Sequence, residues 1–363
     1  MLKFGIVGAG KGSFIADVHL RGIEATHKAE LVAGCFSRNP EVNKASGEER
    51  GIAADRIYAN AFEMAEKESQ REDGIDFVVI TTPNVFHYEI AKAFLNAGIN
   101  VSSDKPVTTD EWQAKELKEL AESKGLKFCV TFTYSGYPIL QHAREMIQRG
   151  DLGDIVMVMG EYAQDWMAGN TGIAPWRVQP EFTGRMNCIS DIGSHVAFTV
   201  NFLTGLEVSE VCATLDYAQY KTDINSSVMM KYNNGATGII WASQVAHGND
   251  NGIRVRIYGT KGSIEWKNED AERFQLTIDG EPPMIISKGR AYKPEFPYAS
   301  AGRIPAGHHE GLYYCFANIY GPFIDDIEGH GGAYYPSITD GLRIMHWLEG
   351  SYASNQEKTW VKL

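Results

Sequence analysis

A glycine-rich turn directly after a short apolar run constrains the fold of this chain most strongly. Residues 2–7 have the composition of a buried β-strand, and the turn that follows opens an amphipathic segment. Backbone N–H groups in such a turn, at the positive end of a helix dipole, are ready donors to a phosphate. We therefore predict that the pyrophosphate of a dinucleotide is held by Gly8, Gly10, Lys11, Gly12, Ser13 and Phe14.

The first 130 residues repeat the strand-to-helix rhythm that begins at this turn. Short β-branched runs alternate with helical segments, which predicts a parallel, doubly wound Rossmann domain over residues 1–130. Right-handed crossovers place the carboxyl ends of all strands along one edge, so the ligand-binding loops follow the strands. The predicted strands are 4–7, 30–36, 76–81, 100–103 and 127–131, and the predicted helices are 15–23, 40–50, 86–97 and 110–124.

Residues 131–363 change to segments rich in Val, Ile, Thr and Tyr that are joined by hairpin-like turns. This pattern predicts a second domain, for substrate binding and oligomerisation, built on a large, mainly antiparallel open sheet. The fold class is thus α/β plus α+β. The predicted strands lie near 155–164, 208–217, 226–233, 237–246, 253–259, 263–267 and 273–279, with helices near 139–149, 189–204, 309–328 and 337–350.

Charge and cysteine usage exclude several classes of protein. The chain of 363 residues has a formal net charge of −12 and no cluster of Lys and Arg, which disfavours nucleic acid or an anionic membrane as a partner. Its five cysteines are scattered and form no Cys-x-x-Cys pair, which argues against a disulfide framework. Since no apolar run approaches about 18 residues and residues 2–7 already read as a strand, we expect a cytoplasmic protein.

The loop after the second strand bears on the choice of dinucleotide. NAD-selective sites usually carry an acidic residue there, whereas this chain has Ser37 and Arg38. These two side chains can pair with the 2′-phosphate of NADP, or Arg38 can lie over the adenine, or Arg38 is an ordinary exposed residue. Both NAD and NADP therefore stay open. Two further loops at strand ends are predicted to face the cofactor, with the residues Thr82, Pro83, Asn84 and His87 in one and Asp104 and Lys105 in the other.

Asp191 and His195 are the strongest candidates for acid–base chemistry in the second half. Their i, i+4 spacing puts them on one face of a helix, where the carboxylate can orient and charge-stabilise the imidazole. A histidine near neutrality suits removal of a hydroxyl proton while hydride leaves the carbon, and a lysine such as Lys105 would favour the alkoxide-like transition state. Taken alone, the pair is more typical of a helix-surface ion pair than of a catalytic site.

These motifs together resemble the Gfo/Idh/MocA family of NAD(P)-dependent sugar oxidoreductases. Members carry Thr-Pro-Asn-x-x-His, then Glu-Lys-Pro, then Asp-x-x-x-His, and this chain has all three in order, with Asp104 in place of the usual Glu. Longer matches resemble the branch that contains levoglucosan dehydrogenase and glycoside 3-dehydrogenases. They include Tyr134-Ser-Gly-Tyr-Pro138, Trp241-Ala-Ser-Gln-Val245, Tyr258-Gly-Thr-Lys-Gly262 and Arg303-Ile-Pro-Ala-Gly-His308.

The resemblance implies an enzyme that oxidises a secondary hydroxyl, at C3 of a glucoside or related sugar, by hydride transfer to the nicotinamide. It implies NAD slightly more than NADP as cofactor, and it groups Lys105, Asp191 and His195 as one catalytic unit without deciding which group takes the proton. The alternative is an NAD-dependent glycosidase or lyase that cleaves its substrate through a transient 3-keto intermediate.

The resemblance also implies a sugar pocket lined by aromatic and polar side chains. Aromatic rings pack on the apolar face of a pyranose, while arginine and histidine give directional hydrogen bonds, although each aromatic residue is equally typical of core packing. Trp176 and Arg177 are also expected to border the cofactor. The predicted substrate contacts are Lys105, Tyr134, Trp166, Trp176, Arg177, Asp191, His195 and His308.

Two further expectations concern metals and assembly. Neighbouring histidines at 308 and 309 do not share a helix face and lack zinc-ligand spacing, so we expect metal-free chemistry. A broad open sheet favours burial against a copy of itself, which predicts a homo-oligomer, a dimer or tetramer, formed through the C-terminal sheet.

Overall fold

A computed structural model describes residues 1–169, 176–289 and 302–363. The chain divides into two compact units. The first contains residues 1–133 and 311–345, and the second contains residues 134–310 and 346–363.

The first unit contains a parallel five-stranded sheet in the described part of the chain. Its order is β2-β1-β3-β4-β5, and all paired strands run parallel. This confirms the predicted Rossmann sheet, and it places the ends of β1, β3 and β4 next to one another. The strands are β1 (Leu2–Val7), β2 (Ala29–Cys35), β3 (Phe77–Ile80), β4 (Asn100–Ser103) and β5 (Phe128–Val130).

Helices connect these strands close to the predicted positions. They are α1 (Phe14–Glu24), α2 (Pro40–Glu49), α3 (Ala61–Ser69), α4 (His87–Asn96) and α5 (Glu111–Lys124). The sequence interpretation missed α3, a nine-residue helix, although Ala61, Met64 and Ala65 are buried at helical spacing. Helix α3 begins at the side chain of Asn60, which accepts the backbone N–H of Glu63.

The division between the units differs from the predicted boundary at residues 130 and 131. Helix α9 (Leu312–Ile327) belongs to the first unit, because its apolar face packs against α1 and the sheet. Phe323 meets Phe77 of β3 edge to face, with ring centres 5.5 Å apart. At the α1 contact, a Cβ at Gly22 would lie 2.5 Å from Cβ of Phe316, so the helices approach closely. Helix α10 (Ile338–Glu357) runs from the first unit into the second.

The second unit is built on one large sheet, which the structure describes with nine strands. Its order is β13-β12-β11-β10-β6-β9-β8-β7-β14, and all pairs are antiparallel except β6 with β9. The mainly antiparallel prediction is confirmed, and the short strands β13 and β14 are additions to it. The strands are β6 (Ile155–Ala163), β7 (Val208–Asp216), β8 (Asn225–Tyr232), β9 (Thr237–Ser243), β10 (Gly252–Gly259), β11 (Gly262–Lys267), β12 (Arg273–Ile278), β13 (Met284–Ser287) and β14 (Val361–Lys362).

The second unit also contains the helices α6 (Pro138–Gln148), α7 (Pro180–Thr183) and α8 (Ser194–Thr204). Helix α6 packs against α8. Helix α8 packs on β6, where a Cβ at Gly160 would lie 2.2 Å from the side chain of Val196. The face of the sheet opposite α8 carries a row of Met159, Ile239, Met229 and Cys212 on four neighbouring strands.

The predicted helix at 189–204 has an irregular first turn. Residues Ile189–Gly193 form a π turn, and regular α-helix begins at Ser194. A π turn within an α-helix is rare and is frequent at functional sites.

All five cysteines are free thiols. Among the described residues, no helix is long and apolar enough to cross a membrane.

Candidate functional site

The glycine turn in the first unit has the geometry that a phosphate cradle needs. Gly8 has φ +99°, and a Cβ built there would lie 2.9 Å from backbone atoms of Thr81 and Thr82. Gly12 has φ +85°, and a Cβ there would meet nothing within 4 Å. Ser13 is the residue before α1, so the N-terminus of this helix lies directly at the end of the turn. The turn therefore fits the pyrophosphate of a dinucleotide, through Gly8, Gly10, Lys11, Gly12 and Ser13.

Two predicted cofactor loops, after β3 and after β4, are tied together by one buried histidine. The Nδ1 atom of His87 lies 2.9 Å from the carbonyl oxygen of Pro106, and Nε2 lies 2.8 Å from that of Thr82. Burial lowers the pKa of His87, so the neutral ring donates to one carbonyl at a time. His87 is 1% exposed. His87 therefore holds the two loops together in this structure.

The second of these loops holds Lys105 at the carboxyl end of β4. The Asp104 carboxylate accepts the backbone N–H of Lys105 at 2.8 Å and the hydroxyl of Thr131 at 3.3 Å. The shorter acid in place of the usual Glu thus folds back on the backbone of the lysine that follows it. Pro83 and Asn84 lie in the neighbouring loop and are half-buried.

The loop after β2 completes the row of cofactor loops in the first unit. The backbone N–H of Ser37 donates to Oδ1 of Asn43 at 3.2 Å. Arg38 is exposed, and its guanidinium lies 5.3 Å from the centre of the Phe86 ring, in the loop after β3. No acidic residue stands at this strand end. The first unit thus brings all four predicted cofactor loops to neighbouring strand ends.

Asp191 and His195 lie in the second unit on the π turn and the first turn of α8. The Asp191 carboxylate accepts a hydrogen bond of 3.1 Å from the side-chain amide of Gln244. His195 is 7% exposed, and its ring meets Tyr134 edge to face with centres 5.1 Å apart. Asp191 is therefore half-buried and the His195 ring is packed. In an exposed helix-surface ion pair, both side chains would be open to solvent.

An aromatic and amide chain runs from His195 toward the predicted sugar contact Trp166. The hydroxyls of Tyr134 and Tyr162 lie 2.8 Å apart, and that of Tyr162 donates to Oδ1 of Asn251 at 2.7 Å. Burial, reinforced by the neighbouring Tyr134, raises the pKa of Tyr162 well above its usual range. Through Asn251 the chain reaches Gln164, which accepts the indole N–H of Trp166 at 3.1 Å. Tyr134 is itself 6% exposed, so it packs behind His195.

Trp176, Arg177 and His308 are described at other places in the second unit. The guanidinium of Arg177 lies 4.8 Å from the Trp176 ring centre, and both residues are exposed. His308 lines a cavity of ≈ 260 Å³ at the β12 and β13 edge, together with Glu272 and Lys288. The described residues around that cavity include neither Asp191 nor His195, so the structure does not bring His308 to them. Within the described part of the chain, no group of three or more His, Cys, Asp or Glu side chains could hold a metal ion.

Sequence reasoning missed the residues that hold Asp191. Gln244 stands in the motif Trp241–Val245, but its type gave no chemical signal. Asn187 and Asp223 belong to no periodic pattern, and only their buried hydrogen bonds reveal them. Phe86, which stacks on Arg38, was missed for the same reason.

The first unit has a parallel sheet with a phosphate-binding turn, and the second has a mostly antiparallel sheet that carries Asp191 and His195. This combination is typical of nicotinamide-dependent oxidoreductases that are built from two units. Residues 2–132 match the model described as oxidoreductase family, NAD-binding Rossmann fold, and residues 140–265 match the GFO/IDH/MocA C-terminal domain. The chain belongs to the Gfo/Idh/MocA family of oxidoreductases.

Relatives cover essentially the whole chain. An uncharacterized oxidoreductase, YfiI of Bacillus subtilis, is 33% identical over 99% of this chain and 96% of its own. Levoglucosan dehydrogenase of Pseudarthrobacter phenanthrenivorans is 28% identical over 99% of this chain and 97% of its own. A solved inositol dehydrogenase homologue of Azotobacter vinelandii, complexed with NADH and myo-inositol, superimposes with a TM-score of 0.93 at 29% identity, covering 100% of this chain and 97% of that one.

Proposed function

We propose that the protein is an NAD(P)-dependent dehydrogenase that oxidises the C3 hydroxyl of a glucoside or related cyclic sugar to the keto-sugar. The observation that carries this proposal is the pair of Asp191 on the π turn and His195 on α8, with the carboxylate held by Gln244 and the imidazole packed on Tyr134. Relatives whose names include levoglucosan dehydrogenase, and a solved homologue with NADH and myo-inositol, support a cyclic polyol substrate.

The bound nicotinamide supplies a hydride acceptor. On this proposal the hydroxyl proton passes to His195, and the Asp191 carboxylate stabilises the imidazolium that results. The ammonium group of Lys105 offsets the negative charge that grows on the substrate oxygen as hydride leaves C3. The keto-sugar, the reduced cofactor and one proton are then the products, so atoms and electrons balance.

The choice between NAD and NADP rests on the loop after β2. The NADH found in the solved relative supports NAD, whereas the exposed Arg38 guanidinium beside Phe86 can pair with a 2′-phosphate. We propose NAD as the preferred cofactor with NADP accepted. Initial rates with each dinucleotide at equal concentration test this order.

The sugar contacts are proposed from side chains that solvent reaches. Trp166, Trp176 and Arg177 are exposed and offer two indole faces and one guanidinium. Tyr134 acts on this proposal through His195, because its own ring is buried. His308 would contact the sugar only if its loop at the β12 and β13 edge reaches the substrate, and a His308→Ala variant with unchanged KM for the sugar removes it from the site.

A sheet face on which the described part of the chain leaves apolar side chains exposed supports the proposed homo-oligomer. Met229 and Ile239 are 46% and 38% exposed, and they pair across β8 and β9 in the apolar row. Apolar side chains in a continuous row on a sheet face favour burial against a second copy.

A panel of sugars with NAD or NADP tests the function. We expect reduced nicotinamide to accumulate with glucosides, levoglucosan or a cyclitol, and the rate to fall to background in His195→Asn. Silence with every sugar and both cofactors, in protein shown to bind the dinucleotide, contradicts the proposal. Cleaved aglycone without net reduction of nicotinamide favours the glycosidase or lyase alternative instead.

A further inference from the structure

The Asp191 carboxylate is connected through Gln244 to a buried hydrogen-bond network. The side-chain amide of Gln244 donates to Oδ2 of Asp191 at 3.1 Å, and its carbonyl oxygen accepts the amide N–H of Asn187 at 2.7 Å. Gln244 is fully buried and Asn187 is 1% exposed. The amide of Gln244 is therefore a bridge between a fixed donor and a candidate catalytic acid.

The backbone around Gln244 leaves its side chain little freedom. Its N–H donates to the carbonyl of Ile224 at 2.9 Å, and its own carbonyl accepts the N–H of Met167 at 3.0 Å. With the main chain held on both sides, the amide can change its hydrogen bonds mainly by flipping. A flip would point its oxygen at the Asp191 carboxylate and its NH₂ at the NH₂ of Asn187, so both contacts would become repulsive.

A second buried carboxylate anchors this bridge. Asp223 is fully buried, and its two oxygens accept the backbone N–H groups of Asn187 and Ile189, each at 2.7 Å. Its Oδ2 atom also accepts the hydroxyl of Ser226 at 2.9 Å. Burial raises the pKa of Asp223, and these three donors oppose that shift. Ile189 is the first residue of the π turn, so Asp223 holds the start of the segment that carries Asp191.

We propose that Gln244 is a positioning residue that fixes the Asp191 carboxylate for proton transfer, and that Asn187 and Asp223 fix the orientation of the Gln244 amide. This inference rests on the proposed function, because it assigns Asp191 to the reaction. An amide N–H donated to a carboxylate favours its charged form, so Gln244 also keeps Asp191 ionised.

The groups that face Asp191 decide how a pH profile is interpreted. His195 follows on the same helix, Tyr162 faces it from β6, and Cys188 precedes it by three residues. Burial raises the pKa of Tyr162 and of Cys188 well above their usual ranges, so both stay neutral over roughly pH 5 to 9. Asp223 is a further acid beside this segment, and burial raises its pKa, so its protonation also contributes to any pH dependence of kcat.

Two substitutions of Gln244 give opposite pH signatures. Gln244→Met keeps the length but removes the donor, and we expect kcat to fall about tenfold to a hundredfold, the usual effect of losing a hydrogen bond to a charged group. The loss should be greatest at low pH, where Asp191 takes up a proton more readily than in the wild type. Gln244→Glu donates to Asp191 when protonated and repels it when ionised, so its loss relative to the wild type should grow as pH rises.

Asn187→Ala and Ser226→Ala complete the series. Asn187→Ala frees the Gln244 amide to flip, and we expect the pH signature of Gln244→Met with a smaller loss of kcat. Ser226→Ala removes one hydrogen bond of Asp223 and leaves those from Asn187 and Ile189 in place, so it should lower thermal stability and change the pH profile of kcat less than Asn187→Ala does. The KM for the cofactor should be the same in all variants, because the substituted residues belong to the second unit and the proposed cofactor loops belong to the first.

The experiment measures kcat against pH for the wild type and all four variants. The inference is supported if the ratio of wild-type to variant kcat falls with rising pH for Gln244→Met and rises with pH for Gln244→Glu. Ratios that do not depend on pH in both variants overturn it, since they would show a structural role alone. NMR titration of ¹³Cγ-labelled aspartate, with Asp191 assigned through Asp191→Asn, adds a readout that needs no turnover. An Asp191 titration unmoved by Gln244→Met overturns the inference even if no sugar is oxidised, which separates its failure from that of the proposed function.

Discussion

Replacing Gly8 by alanine is the sharpest test of the glycine turn, because Gly12 offers a matched comparison. Both residues have positive φ, +99° and +85°, so alanine costs conformational energy of about 1 to 3 kcal/mol at either position. A Cβ at Gly8 would also lie 2.9 Å from two backbone atoms that follow β3, whereas one at Gly12 would meet nothing within 4 Å. Backbone atoms move less readily than side chains, so we add about 1 to 3 kcal/mol for Gly8→Ala.

The two variants should therefore differ in both stability and cofactor affinity. In urea denaturation, Gly8→Ala should unfold at a clearly lower midpoint than Gly12→Ala. Because the methyl group at Gly8 displaces the turn from the loop after β3, we expect the Kd for NADH to rise at least about tenfold, or 1.4 kcal/mol, in calorimetry. Equal denaturation midpoints and equal NADH affinities for the two variants would refute the assignment of Gly8 as the close contact beneath the phosphates.

Four further substitutions test the proposed roles of the lysine after β4, the arginine after β2, the exposed sheet face and a buried histidine in α1. Lys105→Met should lower kcat by about a hundredfold or more while the Kd for NADH stays within about twofold, and a loss of NADH binding alone would contradict its electrostatic role. Arg38→Ala should lower kcat/KM with NADP at least about tenfold and leave that with NAD nearly unchanged, whereas equal losses with both would show that Arg38 does not read the 2′-phosphate. For the proposed homo-oligomer, Ile239→Lys should give smaller species than the wild type in sedimentation velocity, and an unchanged sedimentation coefficient would contradict an interface on this sheet face. Burial lowers the pKa of His19 from 6.5 to about 4, so between these pH values the unfolded chain binds a proton that the folded chain does not. The free energy of unfolding should therefore fall by up to about 3 kcal/mol as the pH drops from 6.5 to 4. In urea titrations His19→Gln should reduce this fall, and the same dependence of the unfolding free energy on pH in the variant and the wild type would contradict the argument.

The sequence was most informative where hydrophobic periodicity and glycine chemistry act locally. The parallel sheet, the mostly antiparallel sheet and most strand limits follow from alternation and turn residues, and the structure confirms them. Helix α3 was missed although Ala61, Met64 and Ala65 are buried at helical spacing, and with nine residues it is shorter than the helices of this unit that were predicted. Helix α9 could not be assigned to the first unit from its pattern, since an amphipathic helix shows that it has a buried face but does not name its partner.

The candidate site was predictable as a set of residues and not as a network. Lys105, Asp191 and His195 were singled out by motif, and their joint role in catalysis stays a prediction. The π turn at Ile189–Gly193 was read as ordinary helix, because one wider turn leaves the apolar spacing nearly unchanged. Gln244 could not be found at all, since its contacts join segments 57 residues apart along the chain.

The fate of the hydrogen at C3 distinguishes oxidation of the sugar from cleavage of its glycosidic bond. A glucoside carrying deuterium at C3 is incubated with the enzyme and NAD, and the products are examined by NMR and mass spectrometry. For the proposed dehydrogenase we expect one intact 3-keto-glucoside for each NADH formed, with the deuterium on the nicotinamide ring of that NADH. A cleaved glycoside that has its deuterium back at C3, with no net NADH, would contradict it.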